Sequence, residues 1–586
     1  MSPRSKSGTA AKILALLMAF ALFAVACGDD SGDGGSTDTD DTINDDDASQ
    51  ADDTETDGGV GEDEDKATED IIENEPVRDG VLRIGVEAQS DGLNPTANNF
   101  AQAAYMMGYA IYDPLFYVDS ENNWFPWLAE SAEPVGDGSS WDVTVRQGVT
   151  FHDGTPFNAA ALGVNFDRTL ADPLISLAVK PSYPEENRWE LIDEYTIRYN
   201  LIRPSQHFPV NLTSQLGFIA SPAYLELQAE DEGLDQFPVG TGPFEVTQRE
   251  VGVKTTMTRF DGYWQGTDDI YLASIEIHPN TDSVISAERV GSGELDMVTT
   301  SNPEAQLTLE DLGIDTTSNL FAGEDDIMMN TSRPPFDDLR VRQALTFAAD
   351  REGYHEIIAQ GTKPLADTFF HPGLKWHNPE IVQEGNTPDL AAPLIVDYCS
   401  ENPVNAQGDP MCTNNKVNME LQYSGPSVTQ TLVMDVLSEG WEDYFNITRQ
   451  ELLQTAHITD VAFGAYDVVT WRQFGAVDPD NEVIWLECAT AGEGVALNWV
   501  RVCNPERDEL LFAQRATADE AERIALWQEI AQDVHDSYAY IFTTHANWVV
   551  GFNDNVKNLC GTTGPDGQDI ICNNAGALFL HNAWVE

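Results

Sequence analysis

Between residues 274 and 299 the chain reads SIEIHP, then TDSVISAERVGSG, then ELDMVT. The outer pieces alternate apolar and polar side chains as strands do, while the middle piece repeats its apolar residues at helical spacing. Strand, helix and strand this close together make a compact β-α-β unit with a short crossover. The same interleaving runs through the body of the chain. Residues 80–95 begin as an alternating strand and break at Asp91-Gly92. Residues 141–170 give a strand, a sharp turn at Asp153-Gly154 and a helix entered through Asn158. Residues 239–250 are a Gly-rich turn leading into a strand, in which Gly240 and Gly242 are expected to need positive φ. Residues 334–358 form an amphipathic helical pair, capped by Asp337 or Asp338, with Val341, Ala344, Leu345 and Ala348 as its buried stripe. Residues 517–534 open with a capping box of Thr517 and Glu520 and carry Ala521, Ile524, Ala525 and Val534 at helical spacing. Residues 539–552 then return as a strand. The class is α/β.

At 586 residues the chain is too long for one core, so several lobes are expected. Its net charge of −69 excludes nucleic-acid binding, which needs clustered Lys and Arg, and adhesion to anionic lipid through a basic patch. The charge is unevenly spread. From Gly28 to about Glu75 there is almost no apolar residue, and burial there cannot offset ordering entropy, so the segment reads as an extended acidic spacer. Ahead of it, Arg4, Lys6 and Lys12 precede the apolar run ILALLMAFALFAVAC, too short for a comfortable membrane span. A Cys after Ala-Val-Ala and before Gly resembles a bacterial lipoprotein signal, in which Cys27 becomes the lipidated first residue. Ala24 stands where such signals favour Leu. The implied arrangement is a body held at a membrane by a lipid and a flexible leash.

Six further cysteines agree with export: Cys399, Cys412, Cys488, Cys503, Cys560 and Cys572. Sequence alone does not fix their connectivity. They fall into three close pairs, so local pairing, each disulfide contributing roughly 3 kcal/mol, is the expectation. The rival reading, a zinc site, has no C-x2-C or H-x3-H spacing behind it.

Five stretches in order, FHDGTPFNA (151–159), VGTGPFEV (239–246), SGELDMV (292–298), DLRVRQALTFAADRE (338–352) and the long run 504–541, resemble the large extracytoplasmic solute-binding proteins of ABC importers for peptides, nickel and oligosaccharides. The resemblance spans nearly all of residues 80–555. It implies a two-lobed periplasmic-binding-protein type II fold with an extra subdomain in the first lobe. Carried onto this chain, residues 1–26 are the signal peptide and 27–76 the acidic linker. Lobe I is 77–113 with 239–325 and 552–586, the inserted subdomain 114–238, and lobe II 326–551, with hinge crossings near 325 and 551. The pair Cys488 and Cys503 also resembles a disulfide of the dipeptide-binding branch. The implied partners are a peptide or other small solute and permease subunits, with the ATPase on a separate chain. A monomer, no cofactor and no metal are expected.

In the peptide-binding members, the stretch matching residues 470–481 lines the ligand, and an Asp there pairs with the peptide's N-terminal amine. Here that position falls on Gly475, or on Phe474 if the Trp is superposed, and neither is acidic. A buried ammonium without a counter-charge costs several kcal/mol, which argues against an amine held there. Arg472 offers the opposite chemistry, a fork of donors for a carboxylate, a phosphate or sugar hydroxyls, unless Asp478 or Asp480 takes it as a structural ion pair. The candidate ligand residues are Trp471, Arg472, Gln473 and Phe474, with Gln89 on the loop leaving the first strand, and His545 and Asn547 ahead of the second crossing. His152, His371 and His377 read as plain surface or core residues.

The chain has no phosphate loop of the form G-x4-G-K-[ST], so ATP hydrolysis belongs to a partner, and it lacks G-x-S-x-G and H-E-x-x-H. A transport receptor is the reading preferred. An oligosaccharide cargo, favoured by 13 Trp, a sensor that signals without delivering cargo, and an exported hydrolase are the alternatives.

Overall fold

The computed structural model describes residues 75–586 apart from residues 91, 99, 173, 174, 474, 476, 477 and 493. The signal peptide, Cys27, all but the end of the acidic linker, and Phe474 lie outside the described residues. Two larger sheets contain, in chain order, β1 (Gly80–Val86), β2 (Ala129–Val135), β3 (Ser140–Val145), β4 (Trp189–Leu191), β5 (Thr196–Asn200), β6 (Phe244–Glu250), β7 (Lys254–Arg259) and β8 (Leu272–Pro279). They continue with β9 (Met297–Thr300), β10 (Asp315–Met329), β11 (Cys412–Thr413), β12 (Lys416–Ser424), β13 (Phe445–Leu452), β14 (Val468–Gln473) and β15 (Tyr540–Phe552). The helices that bear on the site are α1 (Gln102–Ile111), α2 (Ala159–Ala171), α3 (Ser283–Gly291), α4 (Pro303–Asp311), α5 (Leu339–Ala348), α6 (Pro505–Ala516) and α7 (Glu520–Asp536).

Strands β2, β3, β5 and β4, in that order, form a four-stranded antiparallel sheet. The other sheet has eleven strands in the order β11-β12-β14-β10-β15-β9-β1-β8-β7-β6, with β13 beside β12. The β-α-β unit foreseen at 274–299 is present: β8 and β9 both pair in parallel with β1, and α3 joins them. Two long strands tie the halves of this sheet together. The first part of β10, Asp315–Leu320, pairs with residues 547–552 of β15, which also pair through 549–552 with β9. After a register break between Leu320 and Glu324, β10 pairs with residues 540–545 of β15 on one side and with β14 on the other. Each half packs its own core. One cluster joins Leu82, Ile84 and Phe100 to the inserted four-stranded sheet. Two others lie under β12, β14 and the second part of β10, one around Trp471, Trp499 and Trp527 and one around Ile327, Leu345 and Trp441.

Local expectations are met at several caps. Asn158 accepts from Ala161 N–H to start α2, and Asp338 accepts from Arg340 N–H to start α5, whose Val341, Ala344, Leu345 and Ala348 are buried. The three local disulfides, 399–412, 488–503 and 560–572, are formed. Two expectations need correcting. Helix α7 begins at Asp519, which accepts from Glu522 N–H. Thr517 instead ends α6, and its hydroxyl donates to Glu522. The buried face of α7 is Arg523, Trp527, Ile530, Ala531 and Val534, while Ala521 and Ala525 are exposed. Nor do Gly240 and Gly242 adopt positive φ. They are pressed against the carbonyls of Ile111 and Ala110 at the end of α1, where a Cβ would collide with backbone.

Candidate functional site

The register between β10 and β14 sets Asp325 opposite Arg472 and Asp326 opposite Trp471. Because side chains alternate along a strand, these two pairs leave the sheet on opposite faces. Trp471 goes into the core, only 7% exposed, its ring edge-on to Trp499 at 4.5 Å and 5.5 Å from His457. Its indole N–H donates to Gln473 Oε1 at 3.2 Å. Asp326 shares that face with Met328, which packs in the same aromatic cluster. Burial, and secondly the charge of Asp325, push its carboxyl well above the usual carboxylate range.

On the other face, Arg472 Nε donates to Asp325 Oδ1 at 2.8 Å, and Lys363 Nζ meets Asp325 Oδ2 at 3.1 Å. Thr544 adds a hydroxyl to Oδ2 at 3.3 Å. Burial alone would raise the Asp325 carboxyl, but the two cations outweigh it and hold the group well below the usual carboxylate range. Beside this cluster is a cavity of about 70 Å³. Asp325, Lys363, Arg472, Thr544 and Gln430 line it from one half of the sheet, and Ser301 and Asn302 from the other. The latter wall is fixed by Glu87 at the end of β1. Its carboxylate accepts from Thr300 Oγ1 at 2.6 Å and from the Ser301 backbone N–H at 2.7 Å. Asn302 then caps α4 through Ala305 N–H.

Arg472, Trp471 and Asp326 all border the cavity, although the side chains of Trp471 and Asp326 leave by the opposite face of the sheet; Gln473 is bonded to Trp471, and Gln89, His545 and Asn547 lie elsewhere. Gln89 is taken up by Ser90 O and by the Gly252 N–H in the β6–β7 turn. His545 is buried beside Glu324, with Nδ1 and Oε1 2.9 Å apart. Burial, then the neighbouring His371, lowers its pKa to about 3, which leaves the imidazole neutral, and burial raises Glu324 well above its ordinary value. Asn547 Nδ2 donates to Thr362 O at 3.1 Å, and its carbonyl accepts from Gln306 at 3.1 Å. None of these three lines the cavity. His152, as read, is committed to backbone, meeting Gly242 O at 2.9 Å.

Neither Asp478 nor Asp480 serves Arg472. Arg523 donates to Asp478 and Arg515 to Asp480, because the turn they occupy packs on α6 and α7 rather than on β10. Asp325 and Lys363 are the site residues the sequence reading missed. The signals available were an acidic run, Glu324–Asp326, entering an otherwise apolar strand, and a lysine in a chain with only 30 Lys and Arg against 99 Asp and Glu.

Residues 123–491 match the family described as bacterial extracellular solute-binding proteins, family 5 Middle. Di/tripeptide-binding protein 2 of Pseudomonas aeruginosa (strain UCBPP-PA14) is 26% identical over 511 residues, covering 82% of this chain and 92% of its own. The dipeptide-binding protein of Escherichia coli (strain K12) is 23% identical over 492 residues, covering 78% and 88%. Among solved structures, the binding protein AgaA from A. tumefaciens R10, in complex with agropinic acid, superposes with a TM-score of 0.71 at 18% identity, over 86% of this chain and 99% of its own. That likeness makes the architecture a two-lobed α/β binding-protein fold.

Proposed function

The chain belongs to family 5 of the bacterial extracellular solute-binding proteins, and from that premise we propose that it is the cargo-capturing lipoprotein of an ABC import system. It takes a peptide-like solute into the cleft between its lobes, performs no chemistry of its own, and hands the solute as a monomer to permease subunits driven by a separate ATPase chain. The observation that carries this reading is the cavity beside the crossing strands, walled by Ser301 and Asn302 from one half and by Asp325, Lys363 and Arg472 from the other. A solute touching both walls stabilises the closed form, which is how hinged receptors couple binding to shape. Two relatives that carry peptide-binding names support the peptide class. The lobe boundaries at 113, 239, 325 and 552 belong to the same proposal, supported by the passage of β10 and β15 between the half-sheets. Cys27 carries the lipid, and the acidic spacer lets the body reach from membrane to medium.

Native mass spectrometry of the protein purified gently from cells in rich medium tests the reading. Bound masses spaced by amino-acid residues are expected. An empty protein that cleaves offered peptides or oligosaccharides contradicts it.

A further inference from the structure

The loop after β5 reaches from one core to another. Its Phe208 belongs to the cluster that holds the inserted four-stranded sheet, whereas Leu511 of α6 and Trp527 of α7 belong to the cluster around Trp471. Bonds within the first body fix the loop: Trp141 Nε1 donates to Ser205 O and Gln206 Nε2 to Asp137 O, both at 2.8 Å. From this base Gln206 N–H donates to Arg515 O at 2.8 Å, and His207 Nε2 lies 2.8 Å from Thr517 O. A carbonyl oxygen only accepts, so His207 Nε2 carries a proton and Nδ1 is the nitrogen left to titrate.

The charges on the elements around His207 are already matched. Arg523 of α7 pairs with Asp478, and Arg515 of α6 pairs with Asp480 at 2.7 Å. Exposed Glu522 accepts from the Thr517 hydroxyl at 2.8 Å. On the loop itself Arg203 lies over the Phe512 ring, and Glu487 acts on Arg515 and Arg203. Both acids that act on the ring, Asp478 and Asp480, are thus held by guanidinium groups, and an imidazolium gains little counter-charge from them. Packing against α6 also strips the water that would solvate such a charge. Burial, then the Arg523 charge, accordingly lower the His207 pKa, against smaller upward pulls from Asp478, Asp480 and the Thr517 carbonyl.

Resting on the receptor reading above, we propose that His207 is a pH-sensitive latch on closure, docking against Thr517 as a neutral ring and disfavouring the closed form once protonated. It touches no cargo and is a positioning residue that acts through the approach of the two bodies. With the bodies apart, the loop faces water and His207 titrates in the ordinary range near pH ~6.5. With them together the ring resists charge, so closure in acid must expel a proton. The Nε2–H bond survives protonation, and the sensitivity comes from burying the charge gained at Nδ1. The sign follows from linkage: cargo affinity is at its full value well above pH ~6.5 and falls as pH drops through it.

Titration calorimetry of the full chain tests the latch, using the member of a defined library of di- to pentapeptides that the wild-type protein retains best. Wild-type affinity is expected to fall about three- to tenfold between about pH 7.5 and about pH 5.5, tenfold being roughly the most one such group gives over that span. At about pH 6.5, buffers of different ionisation enthalpy should reveal release of up to about half a proton per peptide bound. His207→Gln keeps an N–H for Thr517 O but cannot titrate. With its melting temperature matched to wild type, it is expected to bind like wild type at about pH 8 and to lose most of the acid fall and of the proton release. A wild-type affinity that is flat across this range overturns the latch and leaves peptide binding intact. A fall equally steep in folded His207→Gln also overturns it, since other groups then carry the titration. Should that variant fail to fold, wild-type binding without proton release at about pH 6.5 decides against the latch. Wild-type protein that retains no member of the library overturns the receptor reading and the latch with it.

Discussion

Asp326 is 3% exposed, and neither of its carboxyl oxygens has a hydrogen-bond partner among the described residues. Such a group is tolerated only as the neutral acid. An unfolded Asp gives up its proton near pH ~4, whereas the folded group keeps it to higher pH because burial, then Asp325, raises it. Above pH ~4 the unfolded chain therefore binds fewer protons than the folded one, and stability declines as pH rises. Asp326→Asn removes that decline. Its melting temperature should rise relative to wild type between pH 4 and pH 7, and a constant difference across that range contradicts the assignment. Trp471 makes a second prediction at this scale. Its ring fills the core with Trp499 and His457, so Trp471→Ala should cost about 3–5 kcal/mol in urea denaturation. A loss of affinity with stability unchanged would instead make the indole a ligand platform. Arg472 and Trp471 were both legible as a pair from their spacing. Which face each takes was not, because it depends on the partner strand β10.

At the scale of elements, most of the architecture could be read from the sequence. The β-α-β unit, the α5 stripe and the Asn158 cap all follow from patterns within a few residues, where local physics dominates. The errors came where a distant segment decides. Helix α7 was given an alanine face at 521 and 525, but its contacts to the Asp478 turn draw Arg523 and Trp527 inward, with Arg523 paired to Asp478 and Trp527 Nε1 donating to Gln514 Oε1 at 3.0 Å. Gly240 and Gly242 were assigned to a positive-φ turn, yet what they provide is contact with the end of α1. Gly240→Ala should therefore destabilise by about 1–3 kcal/mol through overpacking, measured by chemical denaturation. A neutral effect would mean that α1 moves aside freely.

For the whole molecule, the two halves meet at more than the crossing strands. Gln206 N–H, from the loop after β5, donates to Arg515 O at 2.8 Å, His207 Nε2 lies 2.8 Å from Thr517 O, and Arg203 stacks over Phe512 at 3.5 Å. These contacts join the loop after β5 to the end of α6, and in the receptor proposed above they would form on closure. Arg203→Ala should weaken cargo affinity roughly two- to fivefold, the worth of one exposed cation–π contact, with no change in the melting temperature of the cargo-free protein. Titration calorimetry with a retained peptide reads the affinity. The tryptophans add a constraint on cargo: Trp127, Trp441 and Trp527 are fully buried, and Trp471 alone lines the described cavity. Their number, which had suggested sugar stacking, reflects core packing.

The central claim is that one solute is gripped by both lobes at once. Hydrogen exchange of the full chain with and without a retained peptide tests it most directly. The account predicts slowed exchange at residues 300–303 and at 470–473 together, with smaller changes along β10 and β15. Slowing confined to one of those two segments, or to neither while peptide is bound, would place the solute outside the cleft and contradict it.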